Sequence, residues 1–305
     1  MSYLHGIEYT VGEMHPIETI EALRDNSLFV DRFHKNGVRH YRRSERTHVE
    51  MAVESIEKTL AAADFDRHEI DAIVFASDTI HYDPSYLKEV GLLPGRLGIK
   101  DTFVYGVFLN ACSNVNSAVE MAQGLMALKG YGNILVVTAD KAGRDGRILP
   151  GGIAVLSDGA ASFILSRREG NVRIRCLANA NNSVLFAIDA EKNQFGYLAG
   201  MIDCIKGLLR KTYRESATSP ADIDLLLTNN YSKSIFASFG AIAEVPSPRV
   251  FVDCLEDHAH CYSADIWINA KNCLERGLCT EGGLVLTLSA GQGYFGSMVL
   301  ETKQP

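Results

Sequence analysis

Two stretches of this chain carry the same pattern: DRHEIDAIVFAS, Asp66 to Ser77, and SPADIDLLLTNN, Ser219 to Asn230. Each is a short acidic turn, the pair Ile-Asp, then a continuous apolar run that closes on polar residues. A run apolar on both faces belongs in a sheet covered by helices on both sides. Each is followed, after a helical segment, by a second run of the same kind, NILVVTAD (Asn133 to Asp140) and GGLVLTLSAGQG (Gly282 to Gly293). Helix, Ile-Asp strand, helix and buried strand thus recur near 47–140 and near 197–291. Two copies of one α/β unit predict a pseudo-symmetric double domain, read here as 1–168 and 169–305. Its site is expected at the join, because open α/β sheets take ligands beyond the C-terminal ends of their strands. Those ends point to Cys112, Ser77, Asn229, His260 and Gly291.

Between the two strands of the first copy lies VYGVFLNACSNVNSAVEMAQGLM, residues 104–126. Val104 to Leu109 reads as a buried strand and Cys112 as the start of a helix. Ala118, Met121, Ala122, Leu125 and Met126 give that helix its apolar face. A thiol at a helix start sits in the positive end of the backbone dipole, where a thiolate is expected. Elsewhere the patterns predict a strand over 1–11, a helix over Pro16 to Asp25 and a polar connection from Phe29 to Arg46 with a turn at Asn36-Gly37. Thr47 and Glu50 form a capping box for a helix to Ala63. A helix follows near Pro84 to Val90, and residues 141–153, with four glycines, form a loop. Strands are expected after the turn at Ser157-Asp158-Gly159, over 172–180, over Val250 to Cys254 and over Gly296 to Glu301. Helices are expected over 197–218, 232–243 and 263–275.

Composition narrows the partners. The 305 residues hold 37 acidic against 30 basic side chains, a net charge of -7, without a Lys/Arg-rich run, so no nucleic-acid footprint is present. RHYRRSER, Arg39 to Arg46, is the one basic cluster, suited to a local anion contact or a solvated face. No stretch approaches the roughly 20 apolar residues of a membrane span, and the N-terminus lacks a secretory pattern, so a cytoplasmic location is expected. Seven cysteines without CxxC spacing imply reduced thiols. Cys254, His258, His260 and Cys261 match no standard zinc spacing, and no metal is expected.

Five segments then resemble one family in register. NACSNVNSAVEMAQGLMALKGYGNILVVTAD is similar to the nucleophile region of β-ketoacyl-acyl-carrier-protein synthase III, in the thiolase superfamily. LSDGAASFIL resembles that family's FGDGAGAAVL strand, LLLTNNYSKSI its PHQANxRI segment, DHAHCYSAD its HGNTSAA segment, and SAGQGYFGSMVL its GGGFTWGSAL ending. The resemblance runs from about residue 5 to 300. It implies a thiolase-like α/β fold of two α-β-α-β-α halves in five layers, a homodimer, and no permanently bound cofactor. It also implies Cys112 as acyl acceptor from acyl-CoA or the phosphopantetheine of an acyl-carrier protein, with the backbone N–H groups of Cys112 and Gly291 as the oxyanion hole.

Two positions depart from the family. Asn229 stands where the family has its histidine, and His260 where it has its asparagine. The pair is exchanged, and Asp265 lies five residues beyond His260 near a helix start. A Cys-His pair with an acidic orienter suits deprotonation of an incoming hydroxyl or amine. Asn229 is open to three roles: orienting His260, binding the thioester carbonyl, or ending a strand. The family's adenine-holding tryptophan and arginine are also missing; Lys35, Arg39, Arg42 or Arg43 remain as candidate phosphate contacts, and a carrier-bound donor is favoured. The size of the acyl pocket depends on packing around residues 80–95 and 183–200. The reading is an acyltransferase of specialised metabolism that loads Cys112 and passes the acyl group to a small-molecule nucleophile. Decarboxylative condensation is the alternative within the fold, and a non-catalytic partner subunit the alternative of another class.

Overall fold

The structure, a computed structural model, describes residues 1–99, 101–143, 146–189 and 192–303. Residues 144–145 of the glycine-rich loop and 190–191 of the 183–200 stretch lie outside the described residues. In chain order the strands and helices are β1 (Ser2–Val11), β2 (Glu13–Pro16), α1 (Ser27–Lys35), β3 (His40–Arg43), α2 (His48–Ala62), β4 (Ala72–Ala76), α3 (Tyr86–Arg96), β5 (Phe103–Val107), α4 (Asn114–Lys129) and β6 (Asn133–Asp140). They continue with β7 (Gly159–Ser166), β8 (Val172–Asn181), α5 (Gln194–Ser216), β9 (Leu225–Thr228), α6 (Lys233–Ala243), α7 (Leu255–His258), α8 (Asp265–Glu275), β10 (Leu284–Ala290) and β11 (Tyr294–Thr302).

Among the described residues, nine strands form one sheet in the order β5-β4-β6-β7-β1-β8-β11-β10-β9. Read outward from the β1–β8 pair, both directions give first strand, last strand, second buried strand and Ile-Asp strand, with β5 added beyond β4 on one edge. The internal repeat seen in the sequence is therefore repeated in space. The Ile-Asp strands β4 and β9 pair in parallel with β6 and β10, so their C-terminal ends lie together.

Side-chain alternation sorts the apolar residues into layers. In β4, Ile73 and Phe75 pack with Met51 and Ile56 of α2, while Ala72, Val74 and Ala76 face α4. In β9, Leu226 packs with Leu208, Leu209 and Phe236 of α5 and α6, while Leu225 and Leu227 face inward with α8. Helices α4 and α8 thus share one central cluster between the two sheet halves, anchored by fully buried Trp267 against Phe163 at 4.3 Å. The result is five layers, with α4 and α8 in the middle. Thr47 and Glu50 make the reciprocal capping box at α2.

Four expectations change. Pro16 ends β2, and Ile17–Thr19 and Glu21–Leu23 are two 3-10 turns rather than one helix. Buried Ile17, Ile20 and Leu23 are spaced by three, which lines them up only when the turn tightens to three residues. The helix of this region is α1, inside the expected polar connection, capped by Asn26 accepting from Phe29 N and ended at the Asn36-Gly37 turn. Val250 to Cys254 is no strand: Val250 makes a single bridge to Leu226 before the chain turns into α7. Strand β5 is not buried but forms the sheet edge, with Phe103 62% exposed.

Candidate active site

Cys112 sits in a 3-10 turn, Ala111–Ser113, that leads from β5 into α4. The preceding Ala111 has φ +48°, a left-handed conformation that a non-glycine residue holds only when its surroundings demand it. They do. Asn114 Oδ1 accepts from Asn110 N at 2.9 Å, and its Nδ2 donates to Ser77 O at 3.0 Å, tying the turn to the end of β4. Ser113 Oγ donates to Tyr294 O at 3.1 Å, tying it to β11.

His260 comes from the other half. Its backbone is held between Val155 O and Ser157 N, each at 2.9 Å, and is flanked by two more left-handed residues, Ala259 and Tyr262. Its ring lies between Tyr231, 4.5 Å away, and Tyr262, 5.4 Å away. Nε2 is 3.2 Å from Cys112 Sγ, and Nδ1 is 2.5 Å from Asp265 Oδ2. Asp265, at the start of α8, also accepts Cys261 N on Oδ1 and Asn230 N on Oδ2, each at 2.7 Å. Surrounded by donors, this carboxylate acts as acceptor, so the ring hydrogen belongs on Nδ1 and the Nε2 lone pair faces the thiol. Cys112, His260 and Asp265 form a continuous chain in which all three side chains are buried.

The electrostatics reverse one expectation. The Cys112 thiol is pushed well above its ordinary range, first by burial and next by the carboxylates of Asp78, Asp140 and Asp265, with the nearby Tyr231 side chain pulling the other way. The helix dipole favours a thiolate locally, but burial beside carboxylates outweighs it. The proton on sulfur is therefore one that His260 must accept rather than one already lost.

Asn229 is brought close in sequence terms but points elsewhere. Its Nδ2 donates to Tyr262 O at 3.0 Å and its Oδ1 accepts Ala290 N at 2.9 Å, so it bridges two backbone segments of the site instead of reaching the thiol. Of its three open roles, the geometry favours fixing the backbone beside His260. Gly291 is where the oxyanion expectation put it, against Cys112, but its N–H donates to Tyr294 O at 2.8 Å within the β10–β11 turn. What the position requires is the missing side chain: a Cβ there would lie 2.6 Å from Ala111 Cβ and 3.1 Å from Cys112 N. Ser77 lies at the site through its carbonyl and through its hydroxyl, which donates to Asp140 Oδ1 at 2.8 Å. Lys35 is exposed on α1, and Arg39 pairs with Glu256 at 3.2 Å. Arg42 Nε donates to Asp257 O, and Arg43 pairs with Glu45. None is brought to Cys112.

Four further residues enter the site. Tyr231 donates its hydroxyl to Ala290 O and packs on His260. Tyr262 and Leu156 cover the thiol, with Ala142 and Leu149 of the glycine-rich loop against them. Asp140, the last residue of β6, takes Ser77 Oγ, Asp78 N, Thr79 N and Thr79 Oγ1 on its Oδ1 alone, while its buried Oδ2 has no partner. Burial and neighbouring Asp78 push its carboxyl up to about 7. The only sequence signal for Asp78 and Asp140 was their position at the ends of the two apolar runs.

Comparison with known proteins agrees with this architecture. Residues 213–302 match the family described as 3-oxoacyl-[acyl-carrier-protein (ACP)] synthase III C terminal. The chain is 23% identical over 282 residues to the beta-ketoacyl-[acyl-carrier-protein] synthase III of Ruegeria sp. (strain TM1040), covering 86% of each chain. Among solved structures, 3-oxoacyl-[acyl-carrier-protein] synthase III from Aquifex aeolicus VF5 superposes with a TM-score of 0.81 at 17% identity, over 99% of this chain and all of that one. ChlB3, described as an acyltransferase, superposes with a TM-score of 0.85 at 17% identity, over 100% of this chain and 98% of that one. In its C-terminal match, its likeness along the chain and its fold, the chain is similar to β-ketoacyl-acyl-carrier-protein synthase III.

Proposed function

We propose that this protein is an acyltransferase that carries its acyl group on Cys112 and delivers it to a small-molecule nucleophile. The observation that supports this is the buried chain Cys112–His260–Asp265, with 3.2 and 2.5 Å between its members. An acyl thioester, on CoA or on the phosphopantetheine of an acyl-carrier protein, supplies the group. His260 Nε2 takes the thiol proton as sulfur attacks the carbonyl; the donor's C–S bond breaks and its thiol leaves with that proton. In the second half, His260 takes the acceptor's proton, the acceptor oxygen or nitrogen attacks the acyl carbon, and Cys112 leaves and is reprotonated. Asp265 holds the tautomer that makes both transfers possible, and the positive end of α4 lies beside the developing oxyanion.

Decarboxylative condensation is the second reading, favoured by the names of the curated relatives. Its weakness is the site's composition: one imidazole, and an asparagine committed to backbone groups. The open edge of β5, with Phe103 exposed, fits the expected homodimer. A cytoplasmic place in specialised metabolism goes with the acyltransferase reading.

The test is incubation with acyl-CoA and acyl-carrier-protein donors, followed by intact-mass measurement of wild type and Cys112→Ala. An adduct on the wild type alone is expected. No adduct from any donor would sink the proposal, and rapid consumption of malonyl-carrier protein independent of His260 would give the site to condensation.

A further inference from the structure

The carboxylates around Cys112 are unevenly accounted for. Asp265 is committed to His260 and two backbone amides, and Asp140 Oδ1 organises the turn after β4. Asp78 is different. Its backbone N–H is fixed on Asp140 at 2.7 Å, yet its carboxylate makes no hydrogen bond or ion pair among the described residues, and it is partly open to solvent. It stands at the C-terminal end of β4, between the ends of β5 and β6 that carry Cys112 and Asp140. The turn holding it is locked to the Cys112 turn through Ser77 O and Asn114. Burial raises its carboxyl above the ordinary range, and the side chains that pull it back are the imidazoles of His260 and His81 rather than a lysine or arginine. Beside it, Asp140 Oδ2 is buried without a partner.

An unpaired carboxylate held at a reacting thiol by a rigid turn is a receptor for positive charge. The same field opposes an anion. A malonyl carboxylate entering here would approach Asp78 with no lysine or arginine paired to it among the described residues, and like-charge juxtaposition is costly where water is largely excluded.

We propose that Asp78 selects a cationic acceptor: a small molecule with a protonated amine beside the hydroxyl that attacks acyl-Cys112. The inference rests on the acyl-transfer reading of the same site. Asp78 holds the ammonium, and the neighbouring hydroxyl meets the thioester while His260 Nε2 takes its proton. A C–O bond forms, the C–S bond to Cys112 breaks, and the proton passes from His260 to the departing sulfur. The ammonium is unchanged throughout.

The charge preference is measured at the thiol itself. Cys112 is modified with methanethiosulfonates of similar size, the cationic 2-aminoethyl and the anionic 2-sulfonatoethyl reagents. Each forms a mixed disulfide and releases methanesulfinate, and Cys112→Ala identifies the mass increment due to this position. The wild type should react at least tenfold faster with the cation than with the anion, relative to free cysteine. In Asp78→Asn that ratio should fall several-fold, with Asp78→Glu retaining most of it. Equal rates, a faster anion, failure of the cation to reach Cys112, or an unchanged ratio in Asp78→Asn overturns the inference. Charge selectivity without an adduct from any acyl donor removes the acyl-transfer reading instead, and adducts without charge selectivity remove the cation site alone.

Discussion

At the ends of β9 and β10, the polar groups beside the thiol are tied to one another: Asn229 joins Tyr262 to Ala290, and Asp265 holds His260 together with two backbone amides. At the ends of β4 and β6, Asp78 has a carboxylate without a hydrogen-bond or ion-pair partner among the described residues, and Asp140 has an orphaned oxygen. The repeat gives the two halves equivalent strand ends, but the carboxylates beside the thiol are finished to different degrees. A group whose partners are complete is held in one geometry, which suits proton transfer by His260. A group left incomplete is available to substrate or answers to pH. The difference assigns preorganisation to the C-terminal half and response to the N-terminal half.

The largest effect should come from the finished side. His260→Ala removes the base in contact with Cys112, and general-base losses run to about 10²–10⁴-fold. Asp265→Asn should also lower acyl transfer by roughly 10²-fold or more, because the amide cannot accept the Nδ1 hydrogen and both Cys261 N and Asn230 N at once. The check is single-turnover loading and discharge of Cys112 by intact mass. If Asp265→Asn loaded and discharged at the wild-type rate, with His260→Ala impaired, the idea that the C-terminal half is preorganised through Asp265 would fail.

A second, smaller effect lies where the halves touch. Gly291→Ala puts a Cβ 2.6 Å from Ala111 Cβ, 3.1 Å from Cys112 N and 3.3 Å from Asn110 O. Two of those three are backbone atoms that cannot rotate away, so the nucleophile turn must shift. Such overpacking typically costs about 1–3 kcal/mol. Gly124→Ala in α4 is the comparison: its Cβ meets nothing within 4 Å, and removing a helical glycine should stabilise by roughly 0.5–1 kcal/mol. Urea midpoints moving in opposite directions, with slower acyl loading in Gly291→Ala only, are expected. A Gly291→Ala protein as stable and as fast as wild type would show that the join tolerates looser geometry.

What could be read in advance follows from how local each cause is. Strands β4, β6, β9 and β10 are legible because residues such as Ile73, Val74, Leu226 and Leu227 are apolar on both faces. The spacing of His260 and Asp265 around a helix start suggested their pairing with each other. Asn229 was ambiguous because an asparagine at a strand end looks the same whether it meets substrate or the Tyr262 carbonyl. Cys112 was misjudged electrostatically because its helix start is local, whereas residues 78, 140 and 265 converge on it only after folding. Strand β5 looked buried because edge and interior strands share apolar composition; only the sheet order separates them. Helix α1 was hidden by polar residues such as Arg32 and His34, which lie around a single apolar stripe ending at Phe33.

The smallest effect tests the unfinished side through pH. The Asp140 carboxyl is raised from 3.8 to about 7, chiefly by burial, so the folded protein binds that proton more tightly than the unfolded chain. Its contribution to stability is full below about pH 4 and is lost as pH rises toward 7. His48 is opposite. Its Nε2 lies 3.0 Å from Thr79 Oγ1 in the same network, and burial lowers its pKa to about 4, so stability is full above pH 6.5 and is lost as pH falls toward 4. His258, likewise lowered to about 4 by burial, adds to the loss in acid. Each group can tilt stability by up to about 1.4 kcal/mol per pH unit, so Asp140 offsets one of the two imidazoles between pH 4 and 6.5. Asp140→Asn removes the offset: its urea midpoint should fall more steeply than wild type between pH 7.5 and 4.5, the gap in stability changing by roughly 2–3 kcal/mol. His48→Gln, which can keep a hydrogen bond to Thr79, should fall less steeply. Parallel curves for Asp140→Asn and wild type would mean that the orphaned oxygen gains no proton on folding, and the two strand ends would then differ in partners without differing in their response to pH.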